Sequence, residues 1–224
     1  MPLERPLSLL GTCSKLFSQM AVAAEIQRLC PDILIWQTYD SAVKADLFST
    51  AIVSSTGVFI IDPVPLTESA FSRLANVGQA AAVIVTNSNH HRASAQFSER
   101  FSVPVFAHVK SFPQQKPLRF SEIADSDAVS DDLSVIAIDG AVDGEIAIHY
   151  RAGNGTLIVG DALINFEPCG FTFLPRMYCA KEKEMKQSLR KLLDLSAERI
   201  LFAHGLPIMS KASARLRQLF DGES

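Results

Sequence analysis

The sequence predicts an α+β protein in which two β-sheets lie face to face with helices on the outside, an αββα layering. Three observations lead there. Strand-like segments between residues 33 and 61 follow one another in hairpin order. Later strand-like segments alternate with helix-like ones. Residues 81–85 are apolar throughout, the mark of a strand covered on both faces.

Residues 1–30 read as a short N-terminal helical extension. Leu16, Met20, Ala23, Ala24 and Leu29 recur at roughly helical spacing over 15–29, and Pro31 stops the helix. Residues 31–224 then form one domain. Strands are expected at 33–36, 48–53 and 58–61, with Gly57 in the turn before the third and Asp62-Pro63 ending it. A helix follows over 67–76, with Thr67 as its N-cap. After the strand at 81–85 the chain turns polar at 86–92, then gives a helix at 93–101 and a strand at 103–107. Residues 110–134 carry Pro113, Pro117, Asp125, Asp127, Asp131 and Asp132 and read as a long surface connection. Strands return at 134–138, 145–150 and 156–160, the last two joined by a hairpin turn at Gly153-Asn154-Gly155. Met185, Leu189, Leu192 and Leu193 share one side of a helix over 181–195, and a strand at 199–203 and a helix at 210–220 complete the chain.

Apolar residues make up 48% of the 224 and charged ones 20%, a balance that supports a core and excludes a disordered or collagen-like chain. Lys plus Arg is 21 against 24 Asp plus Glu, so no basic excess points to nucleic acid or an anionic membrane. No run of about 18 apolar residues marks a membrane span. The N-terminus has no clean apolar region with a small-residue cleavage site, so a cytoplasmic protein is expected. Cys13, Cys30, Cys169 and Cys179 follow no CxxC pattern and are too sparse for a disulfide scaffold, so free thiols are expected.

The chemistry is expected in loops at strand ends that carry His, Asp and Asn. Four stand out: TNSNHHR at 86–92, DGAVDG at 139–144, GDA at 160–162 and AHGLP at 203–207. No GxSxG elbow is present, which disfavours a serine hydrolase. Of the remaining histidines, His108 reads as a surface or capping residue and His149 as part of an alternating strand.

In their order and spacing these loops resemble the metallo-β-lactamase superfamily, over nearly all of residues 32–220. The family places THxHxDH after a buried strand, then GHTPG, then GD, then a late GHG or AHG. Asp62 matches an acidic residue that the family keeps after its early hairpin. The resemblance implies a four-layer αββα sandwich and a hydrolase ancestry. It also implies a depleted metal centre. The three His that hold the family's first zinc fall on Asn87, Asn89 and Ala141, and neither an amide nor a methyl group replaces an imidazole. The family's second set of ligands falls on His91, Arg92, Asp161 and His204.

Two readings follow. In the first, His91, Asp161 and His204 form a mononuclear site for one zinc or iron ion, assisted by His90 or Asn89, and activate water toward an ester, amide or phosphoester. In the second, no metal binds, Arg92 pairs with Asp161 in the metal's place, and the protein is a non-catalytic small-molecule binder or interaction protein. Neither is a dinuclear zinc enzyme. The expected partners are a small-molecule ligand and, through the apolar face of residues 1–30, a second copy of the chain. Neither nucleic acid nor a membrane is among them.

Overall fold

A computed structural model describes residues 21–222. The first strand, β1 (Gln27–Cys30), pairs antiparallel with β2 (Ile33–Asp40), which pairs with β3 (Ala45–Ser54), which pairs with β4 (Gly57–Ile61). The helix α1 (Glu68–Ala75) starts at the expected cap, where the Thr67 hydroxyl accepts from the Ala70 backbone N–H. It leads to β5 (Ala80–Val85), then to α2 (Ser94–Phe101) and β6 (Val105–Ala107). With β7 (Phe120–Glu122), these strands make a seven-stranded sheet in sequence order, antiparallel from β1 to β4 and parallel from β4 to β7.

The second sheet has five strands: β8 (Ala128–Ser130), β9 (Leu133–Ala137), β10 (Ile146–Tyr150), β11 (Thr156–Val159) and, beyond a separate hairpin of β12 (Leu163–Phe166) and β13 (Gly170–Phe173), β14 (Arg199–Phe202). Its order is β14-β11-β10-β9-β8, and only β11 and β14 run parallel. The helices α3 (Glu182–Leu189) and α4 (Ala212–Asp221) belong to this half.

Three apolar layers hold the sandwich together, and strand alternation distributes them. Ile33, Ile52, Phe59, Ile84, Ile146, Ile148 and Ile158 fill the space between the sheets. Neighbouring strand residues such as Leu34, Ala51, Ile60 and Val83 turn outward under α1 and α2, against Phe71, Leu74 and Phe97. On the other side Ala147, Leu157, Val159 and Ile200 pack under α3 and α4, against Met185, Leu189, Leu216 and Phe220. The αββα layering is therefore present.

Three expectations change. Residues 27–30 are a strand, not the end of a helix over 15–29, because they pair with β2; the part of that helix before residue 21, like Cys13, lies outside the described residues. The segment 110–134 is not a plain connection: its three-residue strands β7 and β8 lie at the edge of each sheet, too short to show a period. The helix expected over 181–195 stops at Leu189 and continues as a tighter 3-10 segment, Arg190–Asp194. In the β12–β13 hairpin, Phe171 packs against Phe202 and Phe173 against Phe220. Cys30, Cys169 and Cys179 are free. Among the described residues no helix is long and apolar enough to cross a membrane.

Candidate functional site

Asp62 follows β4, residues 86–92 follow β5, Asp161 follows β11 and His204 follows β14, so their loops open at one edge of the sandwich. Glu145 reaches the same edge from the start of β10, which runs antiparallel to β11. The sheets thus bring together residues up to 142 positions apart, Asp62 and His204 being the extremes.

The Asp161 carboxylate is the centre. Its Oδ1 lies 3.2 Å from His90 Nε2 and 3.3 Å from His204 Nε2. Its Oδ2 accepts from the side-chain amides of Asn87 at 3.2 Å and Asn89 at 3.1 Å. Burial works against ionising this carboxyl, but His90 and His204 outweigh it and hold it well below the ordinary carboxylate range.

His90 is 1% exposed and its tautomer follows from its partners. Nδ1 lies 2.8 Å from Thr86 Oγ1 and 3.0 Å from Asp62 Oδ2. The Thr86 hydroxyl donates its one proton to Asp62 Oδ2 at 2.5 Å, so both neighbours of Nδ1 are acceptors and Nδ1 carries the hydrogen. In the neutral ring Nε2 is then bare. It is buried, lacks a hydrogen-bond partner, and faces a carboxylate oxygen with which it is out of line for a hydrogen bond. A lone pair so placed calls for a cation, either a proton or a metal ion. For the proton, burial opposes charging of the ring, Asp161 and Asp62 favour it over the objection of Arg92, and the balance raises the pKa to about 9.

The structure places His90, and not the expected His91, beside Asp161. The His91 ring stacks on Phe112 with centroids 4.1 Å apart, and its Nε2 donates to the Ser111 carbonyl. The cause is a turn. Asn87 Oδ1 accepts from the Asn89 backbone N–H at 2.8 Å, and the His90 N–H bonds back to the Asn87 carbonyl. This turn points His90 inward and leaves its neighbour on the rim. Among the described residues, the group whose nitrogen and oxygen atoms lie within 4.8 Å of one another is therefore His90, Asp161 and His204.

The expected pairing of Arg92 with Asp161 is likewise absent. Arg92 sits at positive φ, 38°, and its Nη1 donates to the carbonyls of Phe48 at 2.6 Å and Asp62 at 3.0 Å. It braces the ends of β3 and β4 instead of Asp161. Ala141 is 1% exposed within the apolar layer under α3 and offers no ligand. Sequence reasoning missed Glu145, a buried carboxyl joined to Asn87 at 2.6 Å. Burial, with Asp161 adding to it, pushes this carboxyl up to about 8. His108 caps the 3-10 turn that follows it, accepting from the Lys110 N–H, and His149 bonds the Ser196 carbonyl, both away from the site.

His204 depends on Gly205. That residue has φ +107°, and a Cβ there would lie 2.1 Å from the Asn165 carbonyl oxygen. Gly205→Ala is expected to cost about 3 kcal/mol or more and to displace His204, read as a lowered midpoint in urea denaturation.

The donor set fits one metal ion. Two imidazoles and a carboxylate suit zinc or ferrous iron with positions left open. Metal–ligand bonds of about 2.0–2.1 Å in a tetrahedron put neighbouring ligand atoms about 3.3 Å apart, and the two separations at Asp161 Oδ1 are 3.2 and 3.3 Å. The buried Nε2 of His90, with no hydrogen-bond partner, gives such an ion a place to bind in exchange for the imidazole's proton.

Comparison with known proteins agrees with the fold. No curated protein matches the sequence. A solved metallo-beta-lactamase, DIM-1, studied after exposure to ceftazidime, is similar at 13% identity with a TM-score of 0.71, over 92% of this chain and 100% of that one. A metallo-beta-lactamase family protein from Thermus thermophilus is similar at 19% identity with a TM-score of 0.64, over 88% of this chain and 80% of that one. A beta-lactamase domain protein from Burkholderia ambifaria gives 15% identity and 0.66, over 92% and 80%. These likenesses show the fold. The family model described as the metallo-beta-lactamase superfamily matches residues 26–222. With that match running through both sheets and all four site loops, the chain belongs to the metallo-beta-lactamase superfamily.

Proposed function

We propose that the protein is a mononuclear metal-dependent hydrolase, in which His90, Asp161 and His204 hold one zinc or iron ion and the substrate is a small ester, amide or phosphoester. The observation that carries this is the buried Nε2 of His90, which lacks a hydrogen-bond partner and lies beside the Asp161 carboxylate. When bound, the ion supplies Lewis acidity and a lowered pKa for water. The chain's own residues prepare the place for it. Asp62 and Thr86 fix the His90 tautomer, as partners behind a metal-binding imidazole do. Asn87 and Asn89 hold the far oxygen of Asp161 and leave the near one to the two imidazoles. Asn89, exposed at the mouth, offers its second amide hydrogen to a substrate oxygen. With Asn87, Asn89 and Ala141 in place of three imidazoles, a second ion has no ligand set.

A cavity of about 540 Å³, whose lining includes none of His90, Asp161 and His204, suits a small-molecule partner. Phe48, Ile35, Leu206 and Pro207 help line it, and Phe48 and Leu206 each belong to a segment that touches Arg92 or follows His204. A cytoplasmic location completes the proposal. The test is a panel of chromogenic esters, amides and phosphoesters with the chain loaded with zinc or ferrous iron and after chelation. The expected result is turnover in one class that needs the metal and falls at least about 100-fold in His204→Ala. Equal background rates in every arm would contradict it.

One observation favours a second reading. Every oxygen of Asp161 already has protein neighbours, and His90 is basic enough to hold its own proton. In a metal-free binder the His90 imidazolium, not Arg92, would neutralise Asp161.

A further inference from the structure

Glu145 is a buried titratable group that the proposed function leaves without a task. It is 3% exposed. Oε1 accepts from the Ala162 backbone N–H at 3.0 Å, and Oε2 accepts from Asn87 Nδ2 at 2.6 Å. The same Asn87 nitrogen donates to Asp161 Oδ2 at 3.2 Å. At its other end Asn87 Oδ1 accepts from the Asn89 N–H, and Asn89 in turn donates its side-chain amide to Asp161 Oδ2. Both ends of the Asn87 amide are therefore committed, and the amide can face only one way. Glu145 secures that orientation: the Ala162 N–H occupies Oε1, and Oε2 is left to accept the amide hydrogen of Asn87. Gly160 leaves the room: a Cβ there would lie 2.7 Å from Thr86 Oγ1, 2.8 Å from Glu145 Oε1 and 3.0 Å from Asn87 Nδ2.

We propose that Glu145 is a positioning residue of the site: through Asn87 it sets the Asp161 carboxylate so that Oδ1 faces the nitrogens of His90 and His204. This rests on the proposed function insofar as the three residues hold a metal ion, but the positioning itself is a property of the chain.

The substitution that tests it is Glu145→Gln, which keeps the size of the side chain and the acceptor for Ala162. Its amide NH₂ would then confront the amide NH₂ of Asn87 and turn that residue away from Asp161. Zinc affinity is measured by competition with a chromophoric chelator, and the visible absorption of the cobalt(II)-loaded protein reports ligand geometry. A loss of about 10–100-fold in affinity and a changed cobalt spectrum are expected. In an Asn87→Ala background the same substitution should give no further loss, because the two act in series. An affinity unchanged within about twofold, or an equal further loss in that background, would overturn the proposal. Should Glu145→Gln not fold, Asn87→Ala alone must show the same loss and the same spectral change. If the wild-type chain binds neither zinc nor cobalt, the metal reading fails separately. The ¹⁵N shifts of the His90 and His204 rings in the metal-free chain then decide: moved by Glu145→Gln, the positioning stands; unmoved, it falls.

Discussion

His90→Ala is expected to weaken zinc binding on the order of a thousandfold or more, while His91→Ala leaves it within about threefold. The two residues are neighbours in sequence and differ only in which side of the Asn87 turn they leave. His90 brings Nε2 to 3.2 Å from Asp161 Oδ1, whereas His91 stacks on Phe112 and bonds Ser111. Removing His90 also strips Asp62 and Asp161 of the imidazole between them, two carboxylates that are 3% and 6% exposed. Leaving buried charges without their partner costs about 3–5 kcal/mol, so the metal-free variant should also be less stable than wild type. Chelator competition gives the affinity and urea denaturation the stability. A loss of metal in His91→Ala and not in His90→Ala would place the site on the wrong side of the turn.

The second large effect is a pH dependence whose sign depends on the metal. In the metal-free chain the His90 pKa is raised from 6.5 to about 9, so the fold binds a proton more tightly than the unfolded chain. The stability this contributes is complete below about pH 6.5 and is lost as the pH rises through 9, an amount of about 3 kcal/mol. Glu145 works in the same direction over a lower window. Its carboxyl is raised from 4.5 to about 8, and stability falls as the pH rises between those values. Asp62 and Asp161 are shifted downward, so their contribution is lost only as the pH falls through the acid range and does not interfere above pH 6.5. With zinc the slope reverses: the ion needs a deprotonated imidazole, so the stabilisation it adds grows as protons leave. Urea denaturation at pH 6.5 and pH 9, with and without zinc, is expected to show the metal-free chain weaker at pH 9 and the gain from zinc larger there. A metal-free stability that is flat or rises between those two pH values would contradict the assignment of His90.

Much of the fold was legible because burial leaves a period. The hairpin order of β2, β3 and β4, the continuous apolar run of β5 and the Thr67 cap are all local patterns, and their order defined the layers. What escaped was what pairing alone creates. The strand β1 exists because Gln27 to Cys30 find β2, and β7 and β8 are three residues each, set by an edge rather than by composition. The site divided in the same way. Asp161 and His204 stand at strand ends in short motifs and could be read directly. The choice between His90 and His91 could not, because it turns on a hydrogen bond from the Asn89 N–H to the Asn87 side chain, which matching by position in a motif does not see. Arg92 was given the right charge and the wrong partner: its positive φ carries the guanidinium to the carbonyls of Phe48 and Asp62. The one signal for Glu145 was an acidic residue directly after a glycine and directly before the apolar run Ile146-Ala147-Ile148.

Whether His90, Asp161 and His204 hold one metal ion is read from the metal content per chain. The protein would be purified untagged, without chelators or added metal, and measured by elemental mass spectrometry before and after incubation with zinc and removal of the excess. About one zinc or iron per chain is expected, lost in His90→Ala and in His204→Ala. No metal in the wild-type chain, persisting after incubation with zinc, would contradict it and leave the His90 imidazolium as the cation that neutralises Asp161.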